Sequence, residues 1–122
     1  MALNESEKVG LRLIPILGNL AMKQETISYK EIGEFVGKHP RALSHPLAFV
    51  RLICERHNLP RLDVLVVHTG DGLPGDSFIE GGREGLDDDS YRLVTDELRS
   101  EVFNYSRWAE VIPRLAKHYG ES

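Results

Sequence analysis

The chain has 122 residues, 41% apolar and 28% charged, which sets the expectation of one soluble globular domain over 1–122 and excludes wholesale disorder. Fifteen Lys and Arg against nineteen Asp and Glu leave a formal charge of -4, so indiscriminate attraction to nucleic acid is not the whole of its chemistry. No apolar run approaches the roughly 20 residues of a membrane helix, Met1-Ala2-Leu3-Asn4-Glu5 lacks the regions of a signal peptide, and the single Cys54 forms no internal disulfide. A cytoplasmic protein with no membrane partner is the expectation.

Taken in chain order, Val9, Leu13, Ile16, Leu17 and Leu20 recur at three- and four-residue spacing and predict an amphipathic helix over 4–24. Asn4 or Ser6 is positioned to cap it. Pro15 is expected to kink or divide it, because proline lacks a donor and clashes one turn back. Ser28-Tyr29-Lys30-Glu31 has the form of a capping box opening a second helix. Ile32, Phe35 and Val36 are its expected buried face, and Gly37 is placed to end it. Past Lys38-His39-Pro40, a helix or helix pair is expected as far as His57. Ser44 with Pro46 marks a start, and Leu47, Val50, Ile53 and Cys54 form a stripe.

Asn58-Leu59-Pro60 stops that helix. Leu62 to His68 is β-branched and apolar and reads as a strand. Thr69 to Asp76 is dense in turn residues, with Ser77-Phe78-Ile79 as the return strand of a small hairpin. Glu80 to Asp88 reads as a mobile loop. Asp88 or Asp89 is expected to cap a helix carrying Leu93, Val94, Leu98 and Val102. A last helix from about Ser106 would bury Trp108, Val111 or Ile112, Leu115 and Tyr119, with Pro113 shortening or bending it. Together 89–119 forms two C-terminal helices. The fold class is therefore α+β and mostly helical: a winged helix-turn-helix unit over 26–79, with a β-hairpin wing and flanking helices.

Charge is unevenly spread. Residues 1–62 hold nine basic and six acidic side chains, a balance of +3, and residues 63–122 hold six and thirteen, a balance of -7. Two helices joined by a short glycine-containing turn form the helix-turn-helix arrangement. Lys38, His39, Arg41 and His45 gather at the start of its second helical unit, where free amides and the helix dipole suit a phosphate. Basic side chains there are mildly unfavourable for the helix itself. The competing structural accounts are a surface ion pair of Arg41 with Glu34 and a core role for Tyr29.

Ser28-Tyr29-Lys30-Glu31-Ile32-Gly33, Gly37, Arg41-Ala42-Leu43-Ser44 with Leu47, the following strand, Asp71-Gly72 and Gly75 to Phe78 together resemble a known domain. It is the DNA-binding domain of alkylguanine-DNA alkyltransferases and alkyltransferase-like proteins. The resemblance spans about residues 26–78, and the stretch from Arg41 to the strand is several residues longer here. It implies that Tyr29 faces the backbone at the target nucleotide, that Arg41 enters the base stack when a base is flipped out, and that the recognition helix lies in the minor groove. The reactive cysteine of the family would fall near Val64, yet 60–68 contain no cysteine. A transferase requires an activated thiolate, so alkyl transfer is not expected.

No other constellation is assembled. Cys54 lies on an apolar stripe and reads as a small buried hydrophobe. His39, His45 and His57 lack zinc-ligand spacing. Asp87-Asp88-Asp89 lacks the calcium-loop pattern and reads as a solvated helix start, and Gly70-Asp71-Gly72 with Gly75 lacks the lysine of a phosphate loop. A nuclease would use Asp63, Asp71, Asp76 or Glu80, without the basic residue at the spacing such sites favour. No cofactor or metal is expected. Two functional readings follow: a non-enzymatic duplex DNA-binding module using Tyr29, Lys38, His39, Arg41, Ser44 and His45, or a protein-interaction module using residues 84–110. The second rests on seven acids against two bases over 84–101, with Phe103, Tyr105 and Trp108 as an aromatic anchor.

Overall fold

The computed structural model of the protein describes residues 3–70 and 86–120. It is mostly helical, with five α-helices and two very short strands among the described residues. Helix α1 (Glu5–Lys23) opens on a complete capping box: the Asn4 side chain accepts the Glu7 amide and the Glu7 carboxylate accepts the Asn4 amide. The two bonds satisfy orphan donors reciprocally. Pro15 does not divide α1, which runs unbroken for 19 residues to a left-handed cap at Gln24. Pro15 is itself exposed, while Val9, Leu13, Ile14, Leu17 and Ala21 form the buried face. That face packs on helix α3 (Ser44–Arg56) and on helix α5 (Trp108–Gly120), making α1 the central element.

Strand β1 (Ile27–Ser28) leads into helix α2 (Tyr29–Val36). Ile32, Gly33 and Val36 are buried, but Phe35 is 68% exposed, contrary to its expected core role. At 3.6 residues per turn, Phe35 points about 100° away from the centre of the stripe made by the other three. A 3-10 turn over Pro40–Leu43 then runs straight into α3.

The expected strand over 62–68 is mostly something else. Leu62–Leu65 is a second 3-10 turn and only Val66–Val67 is extended, as strand β2. β2 pairs in parallel with β1, Ile27 opposite Val66 and Ser28 opposite Val67, so the described sheet is a crossover and not a hairpin. All six residues from Leu62 to Val67 are buried. A run buried on every side has no alternation from which to read its secondary structure. The return strand at Ser77–Ile79 lies outside the described residues.

Helix α4 (Asp88–Asn104) starts inside the expected loop 80–88, because Asp87 already accepts the Ser90 amide at 2.7 Å. Its inward stripe is Tyr91, Thr95, Leu98 and Val102, and Leu93 is 61% exposed. α5 starts at Trp108, which is buried and donates its indole N–H to the Val102 carbonyl at 2.9 Å. Tyr105 packs edge-on against it at 4.6 Å. One apolar cluster joins side chains from all five helices and the second 3-10 turn.

Candidate nucleic-acid interface

The α2–turn–α3 unit is built by local chemistry. Ser28 caps α2: its hydroxyl accepts the Glu31 amide at 3.1 Å and donates to the Glu31 carboxylate at 3.2 Å. The glutamate thus reaches back to the hydroxyl, where the usual capping box would use the backbone amide. Gly37 ends the helix at φ 68°, in the left-handed region that favours glycine. Its successor, Lys38, donates its amide to the Gly33 carbonyl at 2.9 Å. A Cβ at Gly33 would stand 2.5 Å from the Lys38 carbonyl oxygen, so this turn requires that glycine.

His39 then caps the first 3-10 turn, its ring Nδ1 accepting the Arg41 amide at 3.1 Å. Pro40 supplies a pre-set φ at the next position, and buried Leu43 plugs the turn into the core. α3 begins at Ser44 as expected, but with no side-chain cap. The preceding 3-10 turn already supplies the helical backbone, so the entry needs no separate N-cap.

Arg41, His39, Ser44 and His45 are all exposed and lie within seven residues of chain. Lys38 is less available, because its ammonium lies 3.3 Å from the Glu5 carboxylate and its side chain is 33% exposed. Tyr29 is not part of this group. It stands at the opposite end of the eight-residue α2, a helix about 12 Å long. There its half-buried ring lies 4.8 Å from the ring of His68, tilted by 31°. His68 did not emerge from the sequence. The parallel register sets Ser28 against Val67, so the next residues, Tyr29 and His68, become neighbours.

The remaining candidates fall into structural roles. Burial pushes the Cys54 thiol up to about 12, which leaves it protonated and inert near neutrality. Asp63 is buried against Arg61, whose guanidinium reaches its two oxygens at 2.6 and 3.2 Å. Burial raises the Asp63 carboxyl above its ordinary range, and the Arg61 bond opposes that rise. Asp87 is a helix cap, and no group of three or more His, Cys, Asp or Glu capable of holding a metal occurs among the described residues. Asp71, Asp76, Glu80 and Gly75 lie outside them. Trp108 is a core residue and not an exposed anchor. No described helix is long and apolar enough to cross a membrane. No protein-family model, curated protein or solved structure matches the chain.

Proposed function

We propose that the chain is a non-enzymatic duplex DNA-binding module of winged-helix, alkyltransferase-like type, with damaged or modified DNA as the class of target. The observation that carries this reading is the exposed Arg41 at the head of the second helical unit. Its amide is tethered to the His39 ring, and exposed Ser44 and His45 follow it. Residues 35–54 contain no Asp or Glu, and of their three cations Lys38 pairs with Glu5 and Arg51 with Glu55, so in this reading exposed Arg41 carries the charge offered to phosphate. Tyr29, braced by His68, supplies a second contact at the far end of α2. Arg41 is the residue that enters the base stack in this reading, and Lys38 contributes charge shared with Glu5.

Fluorescence anisotropy of a labelled duplex, with and without an alkylated guanine, tests the reading. Arg41→Ala is expected to weaken binding about tenfold, in the range of a lost base or phosphate contact, with an unchanged melting temperature because the side chain is exposed. Equal affinity of variant and parent would remove the central residue of the proposal. A preference for the alkylated duplex supports the alkyltransferase-like form.

The alternative is a protein partner on residues 84–110. It is favoured by Leu93, exposed at 61% on α4 with Asp89, Asp96 and Glu97 one turn away in sequence. In that reading Leu93→Ser abolishes partner binding, while Arg41→Ala leaves it unchanged.

A further inference from the structure

A second cluster of nitrogen donors lies away from α2. His57 is the C-terminal cap of α3, and His118 and Tyr119 occupy the last turn of α5. The two imidazole rings face each other edge to face, with centroids 5.8 Å apart and planes at 81°. His57 Nε2 lies 2.8 Å from the Tyr119 hydroxyl. Tyr119 is in turn held by an edge contact with Phe49 on α3, at 6.5 Å. Both histidines are exposed, and both rings also pack edge-on against Tyr119, at 5.8 and 4.7 Å.

We propose that His57 and His118 form a two-histidine site for a zinc-class divalent ion, with Tyr119 as the outer partner of His57. The dimensions suit it. With Zn–N bonds of about 2 Å, the centroids of two imidazoles on one tetrahedral ion stand about 5 Å apart, close to the 5.8 Å between these edge-to-face rings, and side-chain rotation has to turn one nitrogen of each onto the ion. The hydrogen bonding suits it too. In the proposed site Nε2 of His57 carries the proton toward the Tyr119 hydroxyl 2.8 Å away, the tautomer that leaves Nδ1 for the ion, as metal-bound histidines commonly use their second nitrogen to fix ring orientation. Neither ring nitrogen of His118 has a hydrogen-bond partner among the described residues.

Electrostatics adds to this. Both histidines lie at helix C-termini, where the dipole favours a cation. Arg56 and Lys117, each adjacent in sequence to one of them, oppose it and set the affinity below that of a closed structural site. Imidazole donors select zinc, nickel or copper over magnesium or calcium. Two protein ligands leave water to complete the coordination, so the ion exchanges readily. Its physical effect is to clasp the end of α5 to α3. This inference does not depend on the DNA reading.

Calorimetric titration of the full chain with zinc chloride alone, alongside melting curves, tests it. One ion per chain is expected, with a rise in melting temperature on saturation. His118→Ala should weaken binding at least tenfold, and Tyr119→Phe about tenfold by releasing the His57 ring. The double variant His39→Ala/His45→Ala should bind like the parent. His118 is exposed on the last turn, so its substitution is expected to leave the circular dichroism spectrum unchanged. Absence of stoichiometric binding, an unchanged affinity in His118→Ala, or loss of binding in the His39/His45 variant would each overturn the site.

Discussion

Cys54 shows how the surroundings of a side chain decide its chemistry. It is fully buried beside Val50 and Ile53 on the apolar face of α3, and burial moves its thiol from an ordinary 9.0 up to about 12. Between those values the unfolded chain loses a proton that the folded chain keeps. The resulting stability is complete below pH 9 and is lost as the pH rises towards 12. Alkaline melting curves should therefore fall more steeply for the parent than for Cys54→Ala. A disulfide reagent should modify the thiol only as fast as the chain opens. Rapid stoichiometric labelling of the native protein would contradict the inert role.

Arg61 and Asp63 make the same point with charge. The pair is largely buried, with side chains 14% and 7% exposed, so removing one partner strands the other. Arg61→Met is expected to cost about 3 kcal/mol in chemical denaturation, and Arg61→Met/Asp63→Leu should recover much of that. A loss under about 0.5 kcal/mol, the level of an exposed pair, would mean water reaches the site. The sequence made Asp63 a strand residue and a nuclease candidate. Arg61 precedes the 3-10 turn and Asp63 lies within it; a strand would also set residues two apart on one face, so the sequence could have shown this pair had the burial of the segment been known.

At the scale of elements, the features legible in the sequence were those fixed within four residues. Asn4, Ser28 and Gly37 cap where their chemistry says they should. The α3 stripe of Leu47, Val50, Ile53 and Cys54 is buried as its spacing requires. Where the inward face is shared with an unexpected residue, the reading slipped. Thr95 lies in the α4 stripe although it is polar, because its hydroxyl donates to the Arg92 carbonyl at 2.9 Å. The β1–β2 pairing was illegible for a different reason: its partners are separated by two helices, and parallel register leaves no turn signature. That omission also concealed His68 beside Tyr29.

The α2–turn junction carries its own prediction. Gly33→Ala places a methyl group 2.5 Å from the backbone oxygen of Lys38, and the obstacle is main chain, with no rotamer to yield. The substitution should destabilise the protein by about 1–3 kcal/mol and shift the approach of the Arg41 segment. Ser44→Ala should cost little, since exposed Ser44 makes no side-chain capping bond. Equal stability of Gly33→Ala and parent would show that the turn relaxes more easily than its geometry implies.

For the molecule as a whole, five helices share one core centred on α1, and the charge imbalance read from the sequence maps onto distinct parts of that fold. The acid-free stretch 35–54 forms the turn and most of α3, while α4 carries Asp88, Asp89, Asp96, Glu97 and Glu101 and is capped by Asp87. Under the proposed DNA-binding function, an acidic chain that contacts phosphate mainly through Arg41 should bind duplex DNA only at modest affinity and with strong dependence on salt. Composition alone could register the net charge of -4.

The most direct measurement is the salt dependence of duplex binding by the parent and by Arg41→Ala, followed by anisotropy from about 50 to 200 mM salt. Each phosphate neutralised contributes about 0.9 to the slope of log affinity against log salt. The parent should show a clear negative slope, and the variant should bind more weakly with a slope flatter by about one. No binding by the parent even at the lowest salt, or an identical slope in the variant, would contradict DNA recognition through the Arg41 face.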